Sequence, residues 1–143
     1  PDWQILGTDI SKSTLDVARK NAGSLANVNF LAGSWFTNIE GRFDLIISNP
    51  PYIRNTDPHL QALKFEPAQA LTAGEDGLDC IRQIIKNCHD HLIPGGHILF
   101  EHGYDQQEPV IQLLITAGLI EVSGFRDLQG QPRAVIARSN HFE

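Results

Sequence analysis

The chain has 143 residues, of which 41% are hydrophobic and 20% charged, a balance typical of one globular domain and not of a disordered or fibrous protein. No apolar run approaches the ~20 residues that cross a bilayer, and no secretory signal opens the chain, so we expect a cytoplasmic protein without a membrane partner. The net charge of −6 makes nucleic acid an unlikely partner, because gripping a phosphate backbone usually requires a basic surface. A local basic patch of Arg54, Lys64 and Arg126 is the alternative left open.

The first third of the chain predicts a strand, a helix and two further strands. The predicted strands are residues 4–8, Val28 to Ala32 and Phe43 to Ser48. The first of them ends at Asp9, after which Ser11 or Ser13 is placed to cap a helix with an apolar stripe.

The remainder of the chain begins with a long loop, residues 53–76, and continues with a helix over about residues 77–92. The apolar residues at core spacing in that helix are Leu78, Ile81, Ile85, Cys88 and Leu92. The turn Pro94-Gly95-Gly96 is predicted to break it. After this turn we expect a strand from His97 to Glu101, a helix from Glu108 to Ala117, and an antiparallel hairpin of Ile120 to Arg126 with Ala134 to Arg138.

Alternating strands and helices predict a doubly wound α/β domain, with a mostly parallel sheet, helices on both faces and an antiparallel hairpin near the end. Such sheets bind ligands beyond the carboxyl ends of their strands. The polar and aromatic residues predicted at those ends are Asp9, Ser34, Trp35, Asn49, Pro50, Pro51, Tyr52, Glu101 and His102.

The segment Asn49-Pro50-Pro51-Tyr52 is the strongest candidate for a catalytic site, because it can grip a planar NH2 group. The Asn49 side-chain carbonyl and the Pro50 backbone carbonyl can each accept one N–H, and the fixed φ angles of the prolines keep these acceptors in place. Tyr52 can cover the target group and favour the positive charge that spreads over nitrogen and an incoming methyl. The alternative is that Asn-Pro-Pro only terminates a strand.

The other candidates also carry two interpretations each. Asp9 is placed to bind two ribose hydroxyls or to act as a charge near a helix N-terminus, and Trp35 either lies flat against an adenine or fills a gap under the sheet. For Glu101 and His102 we expect a packing or supporting role.

The remaining candidates involve a loop segment, two cysteines and two histidines. Phe65-Glu66-Pro67 is expected to shape a substrate lip, unless the loop is only a connector. Cys80 and Cys88 are expected to be reduced thiols in the core, and His89 and His91 to be surface residues, so we expect no metal site.

Several spaced motifs resemble the class I S-adenosylmethionine-dependent methyltransferases, which have a Rossmann-like sheet. These motifs are Gly7-Thr8-Asp9-Ile10-Ser11, Ala18-Arg19-Lys20-Asn21, Gly33-Ser34-Trp35-Phe36, and Phe43-Asp44 through Asn49-Pro50-Pro51-Tyr52-Ile53. Later motifs are similar to the release-factor glutamine methyltransferases, which methylate the glutamine side-chain amide in the Gly-Gly-Gln motif of peptide chain release factors. Those are Phe65-Glu66-Pro67, Ala73-Gly74-Glu75-Asp76-Gly77-Leu78, Pro94-Gly95-Gly96, Glu101-His102-Gly103, and Arg126-Asp127-Leu128 with Gly130 and Arg133.

The resemblance implies roles for particular residues. Asp9 would hold the ribose of S-adenosylmethionine, Ser34 and Trp35 would flank its adenine, and Asn49 would contact both cofactor and substrate. Asn49 through Tyr52 would clamp the glutamine amide, whose nitrogen would take the methyl group and leave S-adenosylhomocysteine as product. The implied protein partner is a peptide chain release factor.

The sequence departs from the family pattern at two places. Ser34 stands where the family usually carries an acid, and no Gly-x-Gly-x-Gly loop or preceding first strand is found. We therefore expect residues 1–143 to be a partial catalytic domain, without the family's N-terminal helical domain. The missing central strand would leave two unpaired edges, which predicts either that shifted strands close the gap or that the protein self-associates. We also expect cofactor binding to be weak or absent.

Two alternative functions stay open. One is an amino-methyltransferase acting on adenine or cytosine of a nucleic acid, because the same Asn-Pro-Pro-Tyr grip suits a flipped base. The other is a catalytically silent binding module.

Overall fold

A computed structural model describes residues 3–58 and 72–140. The chain divides into two compact units, Pro1–Glu40 and Gly41–Glu143. The elements, in chain order, are β1 (Ile5–Asp9), α1 (Lys12–Ala22), β2 (Val28–Ala32), β3 (Phe43–Ser48), α2 (Asp79–His91), β4 (Leu92–Glu101), α3 (Gln107–Thr116), β5 (Ile120–Arg126) and β6 (Pro132–Arg138).

The first unit is a parallel strand pair with a crossover helix. Ile5 of β1 lies opposite Val28 of β2, and Asp9 lies opposite Ala32, so both strands end at the same edge. Helix α1 packs on both strands, and Ser11 is its N-cap, with the hydroxyl accepting a hydrogen bond from the Thr14 amide at 3.2 Å. This cap is one of the two that the sequence predicted.

The second unit contains a four-stranded mixed sheet in the order β3-β4-β6-β5. β3 is parallel to β4, whereas β6 is antiparallel to both β4 and β5. The predicted combination of parallel strands with a C-terminal antiparallel hairpin is therefore confirmed. Strands β2 and β3 also have the predicted bounds.

The Pro94-Gly95-Gly96 segment does not form the predicted turn, because it lies inside β4 as a bulge. Phe43 pairs with Leu92 and Leu45 pairs with His97. The segment of β4 between these two pairs is therefore longer than the segment of β3 that it lies against, which is the definition of a bulge. A proline is tolerated there because a bulge frees it from the hydrogen-bonding ladder. A Cβ at Gly96 would lie 2.9 Å from the Phe43 carbonyl oxygen, so glycine is required for this close approach.

Helices α2 and α3 contact each other as well as the sheet, which places them on the same side of it in the second unit. The predicted stripe of α2 is confirmed, since Leu78, Ile81, Ile85, Cys88 and Leu92 are all buried. The other large residues of this core are Ile98, Phe100, Val110, Leu114 and Val135.

Four strands have an edge that no described strand pairs, namely β1, β2, β3 and β5. β3 pairs only with β4, and its Ile47 is 68% exposed; β1 pairs only with β2, and its Ile5 is 48% exposed. Unpaired apolar edges of this kind favour association, although the expected self-association stays a prediction. Within residues 3–58 and 72–140, none of the helices has the length and apolar character that a bilayer crossing requires.

Candidate active site

The segment Asn49-Pro50-Pro51-Tyr52 leaves the carboxyl end of β3, where Ser48 pairs with Phe100 of β4. Asn49 is exposed, and no described residue forms a hydrogen bond with its carboxamide. Pro50 is buried, whereas Pro51 and Tyr52 are half-buried. The two residues that carry the predicted acceptors therefore differ in burial: Asn49 is exposed and Pro50 is buried.

The chain that follows Tyr52 is tied to the chain that leads into α2. Ile53 forms a parallel bridge with Thr72, and its carbonyl accepts a hydrogen bond from the Ala73 amide at 3.0 Å. The Asn55 amide donates to the Gly74 carbonyl, also at 3.0 Å. The long loop therefore starts and ends beside the candidate site. The predicted substrate lip, Phe65-Glu66-Pro67, lies outside the described residues.

Gln106, which the sequence analysis did not single out, connects three segments of the site. Its side chain is 3% exposed, and its Nε2 donates to the carbonyls of Tyr52 and Asp76, each at 3.0 Å. Its Oε1 accepts from the Gly103 amide at 2.8 Å. No pattern in the sequence could have revealed this role, because Gln106 only precedes a helix and its partners are distant along the chain.

Glu101 and His102 end β4 beside this network. His102 is fully buried, and its Nδ1 lies 2.8 Å from the Gly103 carbonyl oxygen, so Nδ1 carries the proton and donates it. The backbone of His102 is also fixed by Arg133, whose carbonyl accepts from the His102 amide at 3.0 Å. These contacts agree with the packing role that we expected for this residue.

In the first unit, Asp9 and the Ser34-Trp35 pair follow the ends of the two parallel strands. Asp9 is half-buried, and its Oδ1 accepts a hydrogen bond from the Ser11 amide at 2.7 Å. One carboxylate oxygen is thus committed to the start of α1, which leaves the other for a hydroxyl ligand. The structure shows the contact of Asp9 with the start of α1, and its ribose-binding role stays a prediction.

Trp35 has an unusual backbone that the sequence did not indicate. Its φ is +52°, in the left-handed region that bulky side chains rarely adopt. Ser34 is exposed, Trp35 is half-buried, and the Thr37 amide closes the turn on the Ser34 carbonyl at 2.9 Å. The backbone is therefore strained at this residue, and the adenine-binding role of the indole stays a prediction.

Charged residues beside the second-unit site are paired with one another. Arg54 donates to Asp105 at 2.8 Å, and Arg82 forms an ion pair with Asp76. The hydrogen bond from Arg82 holds the pKa of the Asp76 carboxyl below its usual range. These arginines line a surface pocket of about 280 Å³ with Gln106 at its wall.

Of the basic patch considered from the sequence, Arg54 is paired with an acidic residue, whereas the described contact of Arg126 is with a neutral carbonyl. Arg54 is bound to Asp105, and Arg126 donates to the Gly130 carbonyl at 2.7 Å. The third member, Lys64, lies outside the described residues.

The cysteines and histidines of α2 do not form a described metal site. Cys80 and Cys88 are free thiols, and burial raises the pKa of Cys88 to about 11. His89 is half-buried, and its Nε2 lies 2.8 Å from the Ala117 carbonyl oxygen. In the part of the chain that the structure describes, no group of three or more metal-ligating side chains is found.

The pattern that defines a methyltransferase domain family matches residues 1–116. The release factor glutamine methyltransferase of Xylella fastidiosa (strain Temecula1) is 46% identical, over 99% of this chain and 54% of its own length. The enzyme of that name from Coxiella burnetii is 43% identical over 96% of this chain and 51% of its own. The chain thus spans about half the length of the curated relatives it matches.

Solved structures share the fold at lower identity. The ribosomal protein L11 methylase of Lactobacillus delbrueckii subsp. bulgaricus superposes with a TM-score of 0.68, over 96% of this chain and 58% of the other, at 20% identity. The α/β architecture, the mixed sheet and the sequence match lead to one conclusion: the chain belongs to the methyltransferase domain family and has the class I methyltransferase fold.

Proposed function

We propose that this chain is part of a catalytic domain that transfers a methyl group from S-adenosylmethionine to the side-chain amide nitrogen of glutamine in the Gly-Gly-Gln motif of peptide chain release factors. The observation that carries the proposal is the exposed side chain of Asn49 just after β3, which no described residue hydrogen-bonds and which two prolines follow. The similarity to release factor glutamine methyltransferases supports the protein substrate. A ribosome-associated substrate implies a cytoplasmic enzyme.

The residues at the strand ends of the first unit fit a nucleoside. Asp9 has one carboxylate oxygen held by Ser11 and the other available for ribose hydroxyls, and Trp35 presents a half-buried indole to an adenine beside Ser34. The cofactor, when bound, supplies an electrophilic methyl group on a positively charged sulfur. The chain's own residues have to present the amide nitrogen to it.

Asn49 and Pro50 supply the acceptors for the two amide N–H groups. An amide nitrogen is a poor nucleophile because its lone pair is delocalised into the carbonyl, so both N–H groups must be fixed with the lone pair facing the methyl carbon. Asn49 is exposed and open to the incoming glutamine, and the fixed φ of Pro50 keeps the neighbouring carbonyl in place. Tyr52 then covers the site, and the nitrogen loses its extra proton to solvent after transfer.

The net charge of −6 and the pairing of Arg54 with Asp105 favour a protein substrate over a nucleic acid. The deciding experiment gives the full natural chain radiolabelled S-adenosylmethionine, together with release factor, single-stranded DNA or a release factor with alanine in place of the Gly-Gly-Gln glutamine. We expect label only in the unaltered release factor. We also expect an Asn49→Ala variant to lose about 100- to 1,000-fold in rate, as when one preorganised polar group is removed from an active site.

Label in the DNA would identify the amino-methyltransferase alternative. The absence of label from all three, with the fold intact by circular dichroism, would favour the silent binding module. Either result would refute the proposed function.

A further inference from the structure

We infer that Gln106 is a positioning residue for methyl transfer, because its one buried amide fixes the backbone of the substrate-gripping segment relative to the end of β4. The inference rests on the proposed function and extends it to a residue that contacts neither the substrate nor the cofactor.

The hydrogen bonds of Gln106 fully satisfy its side chain. Both N–H groups of Nε2 are donated, one to the Tyr52 carbonyl and one to the Asp76 carbonyl, each at 3.0 Å, and Oε1 accepts from the Gly103 amide at 2.8 Å. The orientation of the amide is unambiguous, since a reversed group would place an NH2 against the Gly103 N–H and an oxygen against two carbonyls. At 3% exposure, Gln106 is largely shielded from water, so the loss of these partners would leave polar groups poorly satisfied.

The position of Gln106 at a helix terminus shows that its side chain serves the tertiary structure. It is the N-cap of α3, yet it makes no side-chain capping bond to its own helix. Its backbone amide instead donates to the Gly103 carbonyl at 2.9 Å, which closes the turn that follows β4. Gln106 is thus anchored to that turn through both its backbone and its side chain.

Two glycines leave room for the amide. A Cβ at Gly77 would lie 2.6 Å from Nε2 and 2.2 Å from the Tyr52 oxygen, and a Cβ at Gly103 would lie 2.9 Å from Oε1. Contacts below 3.0 Å are essentially never seen for real Cβ atoms, so the cradle around the amide requires both residues to be glycine.

The substrate-gripping segment is therefore held at both of its ends. Ser48, before Asn49, is fixed by pairing with Phe100, and Tyr52 is fixed by Gln106. Between these anchors the two prolines restrict φ. If the second anchor is released, the Pro50 carbonyl and the Tyr52 ring can shift relative to Asn49, and the amide nitrogen of the substrate loses its alignment.

The test compares the full natural chain with Gln106→Glu and Gln106→Ala. Glu keeps the shape and the acceptor for Gly103 but removes both donors, whereas Ala removes all three bonds. Gln83→Glu, on an exposed side chain of α2, is the matched control for the charge change. Leu114→Ala, in the fully buried core of α3, is the control for loss of stability alone.

We expect both Gln106 variants to lose about 10- to 100-fold in kcat per folded molecule, since a misplacement of about 1 Å can cost on the order of 100-fold. The KM for S-adenosylmethionine should change by less than about two-fold, because Gln106 contacts only the segment that aligns the amide. The two control variants should retain kcat. A normal kcat in Gln106→Glu, or an equal loss in Leu114→Ala, would overturn the inference.

A second readout separates this inference from the proposed function. Hydrogen exchange at the amides of Gly103 and Ala73 should accelerate in Gln106→Ala and stay unchanged in Gln83→Glu, whatever the substrate is. If the unaltered chain methylates no release factor, the proposed function fails while exchange still decides the anchoring. If the unaltered chain is active and exchange at these amides does not respond, the anchoring role fails alone.

Discussion

Replacing Gly77 by alanine tests how tightly the backbone behind the candidate site is packed. Gly77 is buried and has a φ of +76°, a conformation that costs an L-residue roughly 1–2 kcal/mol. The new methyl group would also stand 2.2 Å from the Tyr52 carbonyl oxygen, where ordinary contact begins at 3.4 Å. The carbonyl would have to move by about an ångström or more relative to the new methyl group.

Such a displacement adds a second cost to that of the backbone. The hydrogen bond between Gln106 and Tyr52 would break and leave a buried donor without its partner, at a cost of about 1–3 kcal/mol. We therefore expect Gly77→Ala to lower the free energy of unfolding by roughly 2–5 kcal/mol in total.

Gly118→Ala isolates the backbone contribution. Gly118 has a similar φ of +85°, but nothing lies within 4 Å of its added Cβ, so only the conformational cost of roughly 1–2 kcal/mol should remain. Urea unfolding of both variants, extrapolated linearly to water, measures the difference. If Gly77→Ala destabilises the protein no more than Gly118→Ala does, the close packing of Gly77 against Tyr52 and Gln106 is refuted.

Two further predictions concern titratable groups. Because Arg82 holds the pKa of Asp76 below its ordinary value of 3.8, the ion pair stabilises the fold above about pH 4 and loses this effect as the pH falls through the lowered pKa. Near neutrality the unaltered chain should have a free energy of unfolding about 0.2–1 kcal/mol higher than that of Asp76→Asn, and this difference should shrink in acid. A difference that grows in acid would contradict the prediction. Cys88 is fully buried and its pKa is raised to about 11, so a thiol-alkylating reagent should label the half-buried Cys80 well before Cys88 in the native protein. In denaturant both thiols should react at similar rates. Mass spectrometry of the two peptides measures the rates, and equal rates in the native protein would contradict the prediction.

Local sequence signals predicted the elements that are bounded by clear turns. β2 and β3 have the predicted limits because short apolar runs are flanked there by glycine, asparagine and proline. The buried stripe of α2 followed from helical spacing alone. For these elements, local pattern and tertiary packing favour the same structure.

Pro94-Gly95-Gly96 failed as a turn signal for a reason that lies outside the segment. These residues are held in β4 by the neighbouring β3, whose Phe43 carbonyl approaches so closely that Gly96 cannot carry a side chain. A proline next to two glycines suggests a turn when only local preference is considered. Pairing with a strand some fifty residues earlier decided the outcome, and that pairing is not visible in the local sequence.

The same distinction separates the two kinds of residue in the candidate site. Asn49 was identified from a motif, because a group that touches a substrate has to have a particular chemistry and its neighbours a particular stiffness. Gln106 could not be identified in this way, because its two carbonyl partners lie 54 and 30 residues away in the sequence. Each of its contacts, taken alone, is also an ordinary hydrogen bond of an amide side chain. In the proposed function, alignment of an amide nitrogen with a methyl group would depend on both kinds, since Asn49 would orient a substrate only as well as its own backbone is held. The reacting groups of such a site are therefore readable from a short segment, whereas the residues that hold them in register emerge only from the packing of the whole unit.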